Sequence, residues 1–426
     1  MLGLSRYQWL VLLAAWLGWG FDVFDGLLFN YVSPLCVPNL LGLDAHDPAT
    51  KPVIVFWTGA LTSLLLVGWG VGGLLFGKLT DRIGRTRTLL FTMITYALAT
   101  ALCAMAPNIF VLGALRFVAA LGIGGEWAAG AALVAESVPE AQRVLCGALL
   151  YTSAPAGLFL ATFVNDLFTR QLDFLAKDPS LSWRVVFLTG LIPALIALGI
   201  RWRVKEPAVF QVGTAKPQIR ELFSQDLRRR TVSGVSMAVI ALVTWWSCNA
   251  FLPALAGFLA DEAGRPKDRV WFITVATTCF NLGGLVGTLL TVPVALHFGR
   301  RKMFLGYFTA SALVIWLTFG LPIAPVTRLY MMGLIGLAVF GIFGCFTFYL
   351  PELFPARLRG TGAGFCYNCG RFVTACFPFL VSVLVSHGNN PFEVVKWNAI
   401  FPVIGIALVV LGVTVETKGQ ILPSGA

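Results

Sequence analysis

The chain has 426 residues, 58% of them hydrophobic and only 12% charged, with a mean hydropathy of +0.82 and a formal net charge of +11. So little charge excludes a water-soluble globular enzyme, which carries about 25%, and so much apolar content excludes a solvated, disordered chain. The basic residues sit in short loops between apolar runs rather than on one soluble face, which excludes a nucleic-acid surface and leaves a polytopic protein of the lipid bilayer.

A helix needs about 20 apolar residues to cross the hydrocarbon core. Twelve such runs follow one another, near 9–32, 54–76, 89–106, 109–135, 145–168, 183–202, 232–260, 271–296, 303–321, 329–350, 362–386 and 393–415. The first is too long for a cleavable signal peptide and leads straight into more membrane. Lys and Arg crowd the loops after the even-numbered runs (Lys78, Arg82, Arg85, Arg87; Arg300, Arg301, Lys302) and the polar stretch 204–230. The positive-inside rule therefore puts both termini and that stretch in the cytoplasm. The nine cysteines lie mostly inside apolar runs. Cys366-x-x-Cys369 has no second ligand pair and reads as helix packing rather than a metal or redox site.

The sequence repeats across its midpoint. Glu136-x-x-Pro139-x-x-x-Arg143 returns as Glu352-x-x-Pro355-x-x-x-Arg359, Gly84-Arg85 as Gly299-Arg300, and Tyr151 as Tyr367, each at a spacing of about half the chain. A duplicated six-helix unit is the mark of secondary transporters. It predicts an all-α membrane protein of two pseudo-symmetric halves, 1–203 and 231–426, joined by a cytoplasmic linker at 204–230.

Gly77-Lys-Leu-Thr-Asp81-Arg82-Ile-Gly84-Arg85 resembles the loop signature of the major facilitator superfamily and falls between the second and third spans, where that family places it. Arg116-x-x-x-x-x-Gly122-x-Gly124 resembles the fourth-span pattern of its proton-coupled members. Pro351-Glu352-x-x-Pro355-x-Arg357-x-Arg359-Gly360 and Glu416-Thr-Lys-Gly419 resemble its sugar and organic-acid porters. Gly124-Gly-Glu126-Trp127 and Tyr367-Asn368-x-x-Arg371 are most similar to the metabolite, aromatic-acid and sialate/lactate proton symporters. The second copy of the loop signature departs from the pattern, with Leu296 where the first half has Asp81. The C-terminal latch is therefore expected to be weaker or differently built.

A charge at mid-bilayer costs at least ~2.5–3.5 kcal/mol, so each one marks a functional candidate. Asp22, Asp25, Arg116, Glu126 and Arg371 qualify, whereas Asp166 reads as an interfacial residue. At about 1.5 Å per residue, Asp25 and Arg116 lie ~11 and ~12 Å from the same face, a depth that permits an ion pair, with Asp22 one turn deeper. A carboxylate exchanging Arg116 for a proton would couple transport to the proton gradient; the alternative is a permanent structural pair. His46, His297 and His387 all fall in loops or at membrane edges, so carboxylates must carry any proton. Arg371 lies ~16 Å in, near the midplane, and its planar fork suits a substrate carboxylate, with Tyr367 and Asn368 beside it. It would alternatively partner Asp22 across the cavity. Tyr151, Trp245, Asn249 and Asn281 are candidate walls at similar depth. Glu126 falls in the cytoplasmic third, and the phenylalanines of 340–348 read as helix packing. Asp81, Arg82, Arg85, Glu136, Arg143, Glu352 and Arg359 are expected to form the cytoplasmic gate.

The resulting expectation is proton-coupled uptake of a small organic anion, a monocarboxylate, by alternating access. The proton serves as coupling ion, with no other cofactor or metal. The protein is expected to be a monomer in a bacterial inner membrane. The alternatives are a proton-coupled sugar or polyol porter and, less favoured, a drug or metabolite exporter. An enzyme would need a nucleophile or metal cluster at depth, which the sequence does not offer.

Overall fold

In lipid every backbone N–H and C=O must be satisfied within the segment, and these apolar runs accordingly fold as helices. The computed structural model describes residues 4–44, 47, 49–83, 85–139, 142–192, 195, 199, 218–355 and 358–419, and no side chain at 77, 78, 80–83, 85, 86, 127–129, 131, 132, 135, 136, 143 or 144. Among the described residues, ten helices are long and apolar enough to span a membrane, and 87–103 adds a shorter apolar one. In the run expected to be the sixth span the helix Pro179–Thr189 is described, and 193, 194, 196–198 and 200–202 lie outside the described residues. The twelve-run reading of the sequence thus matches the fold, although boundaries differ. The first span runs from Arg6 on to Leu41, carrying Pro34 and Pro38 inside it. It opens on a Ser5/Gln8 capping box and closes on Gly42 in the left-handed region (φ 67°), which glycine adopts without a Cβ clash. The seventh starts at Gln225, within the stretch expected to be linker; 201–217 lies outside the described residues.

Two spans break near mid-membrane, each for a local reason. Pro155 has no N–H to give the Tyr151 carbonyl one turn back, and the fifth span divides there into Arg143–Tyr151 and Ser153–Asp166. Pro253 sits in the first turn of Leu252–Glu262, and the seventh span stops at Asn249 before it. Broken helices at this depth expose polar groups to an interior site rather than to lipid.

The halves meet along two seams. The second span (Thr50–Ile83) packs on the eleventh (Arg359–Ser386), and the fifth packs on the eighth (Arg269–Phe298) and tenth (Pro325–Glu352). At the face away from the termini, charged and polar contacts tie the halves together. Lys51 of the second span reaches Asp261 at 2.5 Å, and Asp261 also holds Arg269 at 2.8 Å. Asp166, buried at the end of the fifth span, accepts from Arg170 (2.7 Å), Gln171 (2.7 Å) and, across the seam, Thr274 of the eighth span (2.8 Å). Asp166 thus lies near the outer end of its span, as expected, and in addition bridges the halves.

At the termini's face the second half is latched by its own tail. Arg300 pairs with Glu352 at 2.6 Å, and Thr417 donates to Glu352 at 2.5 Å. Glu416 accepts the backbone N–H groups of Arg300 (2.9 Å) and Arg301 (3.0 Å), capping the ninth span (Arg300–Gly320). The tail thereby supplies the carboxylate that Leu296 denies the loop, so the latch is differently built. Arg359 opens the eleventh span, and the other expected gate residues, Asp81, Arg82, Arg85, Glu136 and Arg143, have side chains outside the described residues.

Two outcomes follow. Breaking the Lys51–Asp261 clamp, a partly exposed pair worth ~1 kcal/mol or less, should loosen the face away from the termini. Bulky thiol reagents should label a Ser382→Cys probe faster in Lys51→Ala and Asp261→Asn proteins than in the parent, all carrying Cys376→Ser; equal rates would remove the clamp from the account. Although burial pushes the Glu416 carboxyl up, backbone donors from Arg300, Arg301 and Lys418 outweigh it and hold the group below its ordinary 4.5. Such a carboxyl stabilises the fold while ionised, above its unfolded value, and that contribution is lost as pH falls through the lower folded value. Glu416→Gln should therefore lower Tm at neutral pH, with the gap to wild type narrowing in acid.

Candidate functional site

The site grows from Trp69-Gly70-Val71-Gly72-Gly73 in the second span. A Cβ on Gly72 would drive into the Leu121 carbonyl, and one on Gly124 into that of Trp69, so the second and fourth spans lie backbone to backbone. On the neighbouring face a Cβ on Gly70 would stand 2.8 Å from the Phe372 ring, and one on Gly73 2.8 Å from the Asn368 amide. The glycines thus admit the eleventh span of the opposite half. What this approach delivers is Arg371 against Trp69.

Arg371 is 4% exposed. Its guanidinium lies 4.7 Å from the centroid of Trp69 and 4.7 Å from that of Tyr367, and it donates to Asn368 Oδ1 at 3.0 Å. Cation–π contacts in a desolvated place are worth about 2 kcal/mol each, less than the several kcal/mol that burying a full charge costs. Asp22, buried on the first span, stands near enough for its charge to act on Arg371.

The aromatic contacts close into a ring drawn from both halves. Trp69 meets Trp246 edge-on (5.9 Å), Trp246 meets Trp245 (5.0 Å), and Trp245 meets Phe343 (6.0 Å). Phe343 stacks on Tyr151 (5.9 Å, 25°) and meets Phe346 edge-on (5.7 Å), which in turn meets Tyr367 beside Arg371 (6.0 Å). The breaks in the fifth and seventh spans follow Tyr151 at once and Trp246 within a turn. A single cation fixed among aromatic faces, with phenols beside it, is suited to a small anion with a flat or apolar body.

The other mid-membrane charges sit apart. Arg116 of the fourth span does not form the expected ion pair with Asp25. It donates to the backbone carbonyls of Asp25 (3.0 Å) and Gly26 instead. The Asp25 carboxylate accepts from Thr100 of the third span at 2.6 Å, and its other oxygen faces Gly190 of the sixth. Equal depth was legible from residue counting, but which side of the helix each group leaves from was not. Asp25 and Arg116 therefore occupy the interior of the first half, within reach of each other's charge, while the charge of Asp22, one turn away on the first span, acts on Arg371.

Of the residues proposed from sequence, the structure brings together Arg371, Tyr367, Asn368, Tyr151 and Trp245. Asn281 instead donates weakly to Thr162 (3.4 Å) across the fifth–eighth seam, and Asn249 is buried one turn past Trp245. Glu126 is buried on the fourth span, two residues past Gly124. Sequence reasoning missed Trp69 and Trp246. It also read the phenylalanines of 340–348 as packing, whereas Phe343 is part of the ring. The cluster of small residues after Trp69 was the available signal.

Comparison with known proteins agrees with this architecture. Residues 9–264 match the profile described as Major Facilitator Superfamily, and 212–424 match that described as Sugar (and other) transporter. The chain is 31% identical to a probable 4-methylmuconolactone transporter of Cupriavidus pinatubonensis, over 96% of this chain and 92% of that one. It is 28% identical to the cis,cis-muconate transport protein of Acinetobacter baylyi, over 82% and 83%. The xylose transporter XylE from E. coli, in a partially occluded inward open conformation, superposes with a TM-score of 0.75 at 17% identity, covering 98% of this chain and 100% of that one.

Proposed function

The chain belongs to the major facilitator superfamily, and we propose that it carries a small organic monocarboxylate into a bacterial cell together with protons, by alternating access. The observation that carries this reading is Arg371: one guanidinium, buried at the seam of the two halves, faced by aromatic rings. Relatives named for muconate and 4-methylmuconolactone support a small organic acid over a sugar. On this reading the protein is a monomer in the inner membrane with both termini in the cytoplasm, an orientation that the distribution of Lys and Arg favours.

The coupling follows from electrostatics. While Asp22 is ionised it competes with an arriving carboxylate for Arg371. A proton on Asp22 removes that competitor, so proton and anion bind cooperatively. The neutralised, loaded site then allows the seams to open on one face and close on the other. Inside-negative potential opposes entry of a monoanion by about 2.3 kcal/mol per 100 mV, and a co-transported proton cancels that term. Asp25, Thr100 and Arg116 form a second polar cluster within the first half; while Asp25 is ionised its carboxylate competes with the first-span carbonyls for Arg116, and a proton on Asp25 removes that competitor and leaves Arg116 on the carbonyls.

The test separates binding from coupling. In Arg371→Ala, carboxylates should no longer raise Tm, whereas a bound ligand at a hundred times its Kd stabilises wild type by about 2.7 kcal/mol. In Asp22→Asn, exchange of labelled for unlabelled anion should persist while uptake driven by a pH gradient is lost. If Asp22→Asn and Asp25→Asn both keep full gradient-driven uptake, the coupling assignment is wrong. If neutral sugars stabilise the protein and Arg371→Ala still responds to them, the sugar-porter reading takes its place.

A further inference from the structure

Two members of the ring around Arg371 are unsatisfied in a way their chemistry does not favour. Trp69 and Trp245 are each 7% exposed, and the indole N–H of neither meets an acceptor among the described residues. A buried indole normally finds a partner, because leaving the donor unpaired forfeits its hydration with nothing in return. Here two such donors occur in one ring, both in edge contact with Trp246, which stands between them. Other indoles of the chain are satisfied: Trp16 donates to Thr152 at 2.9 Å and Trp183 to Asn39 at 3.0 Å. The orphan donors are therefore a feature of this ring and not of the chain's tryptophans at large.

We propose that Trp69 and Trp245 form a second recognition subsite, which reads an uncharged oxygen acceptor on the substrate at a distance from the carboxylate held by Arg371. This rests on the assignment of Arg371 as the anion anchor. The substrate is then a monocarboxylate carrying a carbonyl, hydroxyl, ether or lactone oxygen. A second carboxylate fits poorly, because Arg371 is the one cation of the ring and neutral indole donors leave a further buried charge uncompensated. The two donors come from opposite halves, Trp69 from the second span and Trp245 from the seventh. A substrate whose oxygen meets one of these donors while Arg371 holds its carboxylate satisfies a buried group that is otherwise left unpaired. Analogues lacking that oxygen leave both indoles unpaired, and this is how polar sites discriminate strongly.

Matched acid pairs test this on the purified full-length chain. Binding of benzoate would be compared with 4-acetylbenzoate, and of hexanoate with 5-oxohexanoate, in wild type, Trp69→Phe, Trp245→Phe, the double variant and Arg371→Ala. Phenylalanine keeps an aromatic face but loses the donor together with part of the ring; lost packing and cation–π contact weaken both acids of a pair, so the ratio within a pair isolates the hydrogen bond. Wild type should prefer at least one oxo acid over its partner by about tenfold, as one hydrogen bond supplies, and the double variant should bring that ratio close to one. A wild type with no preference in either pair, or a ratio unchanged in the double variant while binding still depends on Arg371, would overturn the subsite and leave the anchor standing. Acids that bind equally well to Arg371→Ala would remove the anchor, and the subsite with it.

Discussion

The proposed transport site is arranged around one buried guanidinium. Arg371 has left water without gaining a carboxylate in direct contact, and its charge is met by two aromatic faces, an amide oxygen and the field of Asp22. Such an arrangement is incomplete by design: it tolerates the cation without neutralising it. On the proposed reading an anion completes it. Because Trp69 comes from one half and Tyr367 from the other, the same charge also makes the closeness of the halves part of the binding energy. The glycines that follow Trp69 are what permit this, since a side chain at Gly70 or Gly73 would hold the eleventh span off.

Two polar systems then divide the work between the interior and the faces. Inside the first half, Asp25 is held by Thr100, while Arg116 grips the first-span carbonyls at 25 and 26. Carbonyl–guanidinium bonds are weaker than a full ion pair, so Arg116 has a better partner within reach whenever the first span shifts. At the face away from the termini, the Lys51–Asp261–Arg269 and Asp166–Thr274 contacts join the halves near their edges. At the opposite face the tail carboxylate of Glu416 and the Arg300–Glu352 pair fix the second half to itself. Alternating access needs rigid halves and breakable seams, and the charges are distributed accordingly.

Much of this was legible in the sequence because charge is conspicuous against an apolar background. Arg371, Asp22, Asp25 and Arg116 announce themselves by cost alone, and the half-chain repeat gives the architecture. What sequence does not encode is direction around a helix relative to distant helices. Residue counting put Asp25 and Arg116 at one height and could not say that the guanidinium would take carbonyls and leave the carboxylate to Thr100. Trp69 was invisible for a different reason: among 13 tryptophans one more in an apolar span is ordinary, and its role arises only where the opposite half touches it. The place of Asp166 near a span end was legible, but its bridge to a threonine of the other half was not. The replacement of a missing loop acid by Glu416 likewise depends on where the tail lands.

The most direct test of the central claim is the movement of protons with the anion. Protein reconstituted into lightly buffered liposomes would be followed with a pH electrode as a labelled monocarboxylate is added outside. The account predicts saturable external alkalinisation that keeps step with uptake of the label and is abolished in Arg371→Ala. Uptake of the label with no accompanying change in external pH would contradict it.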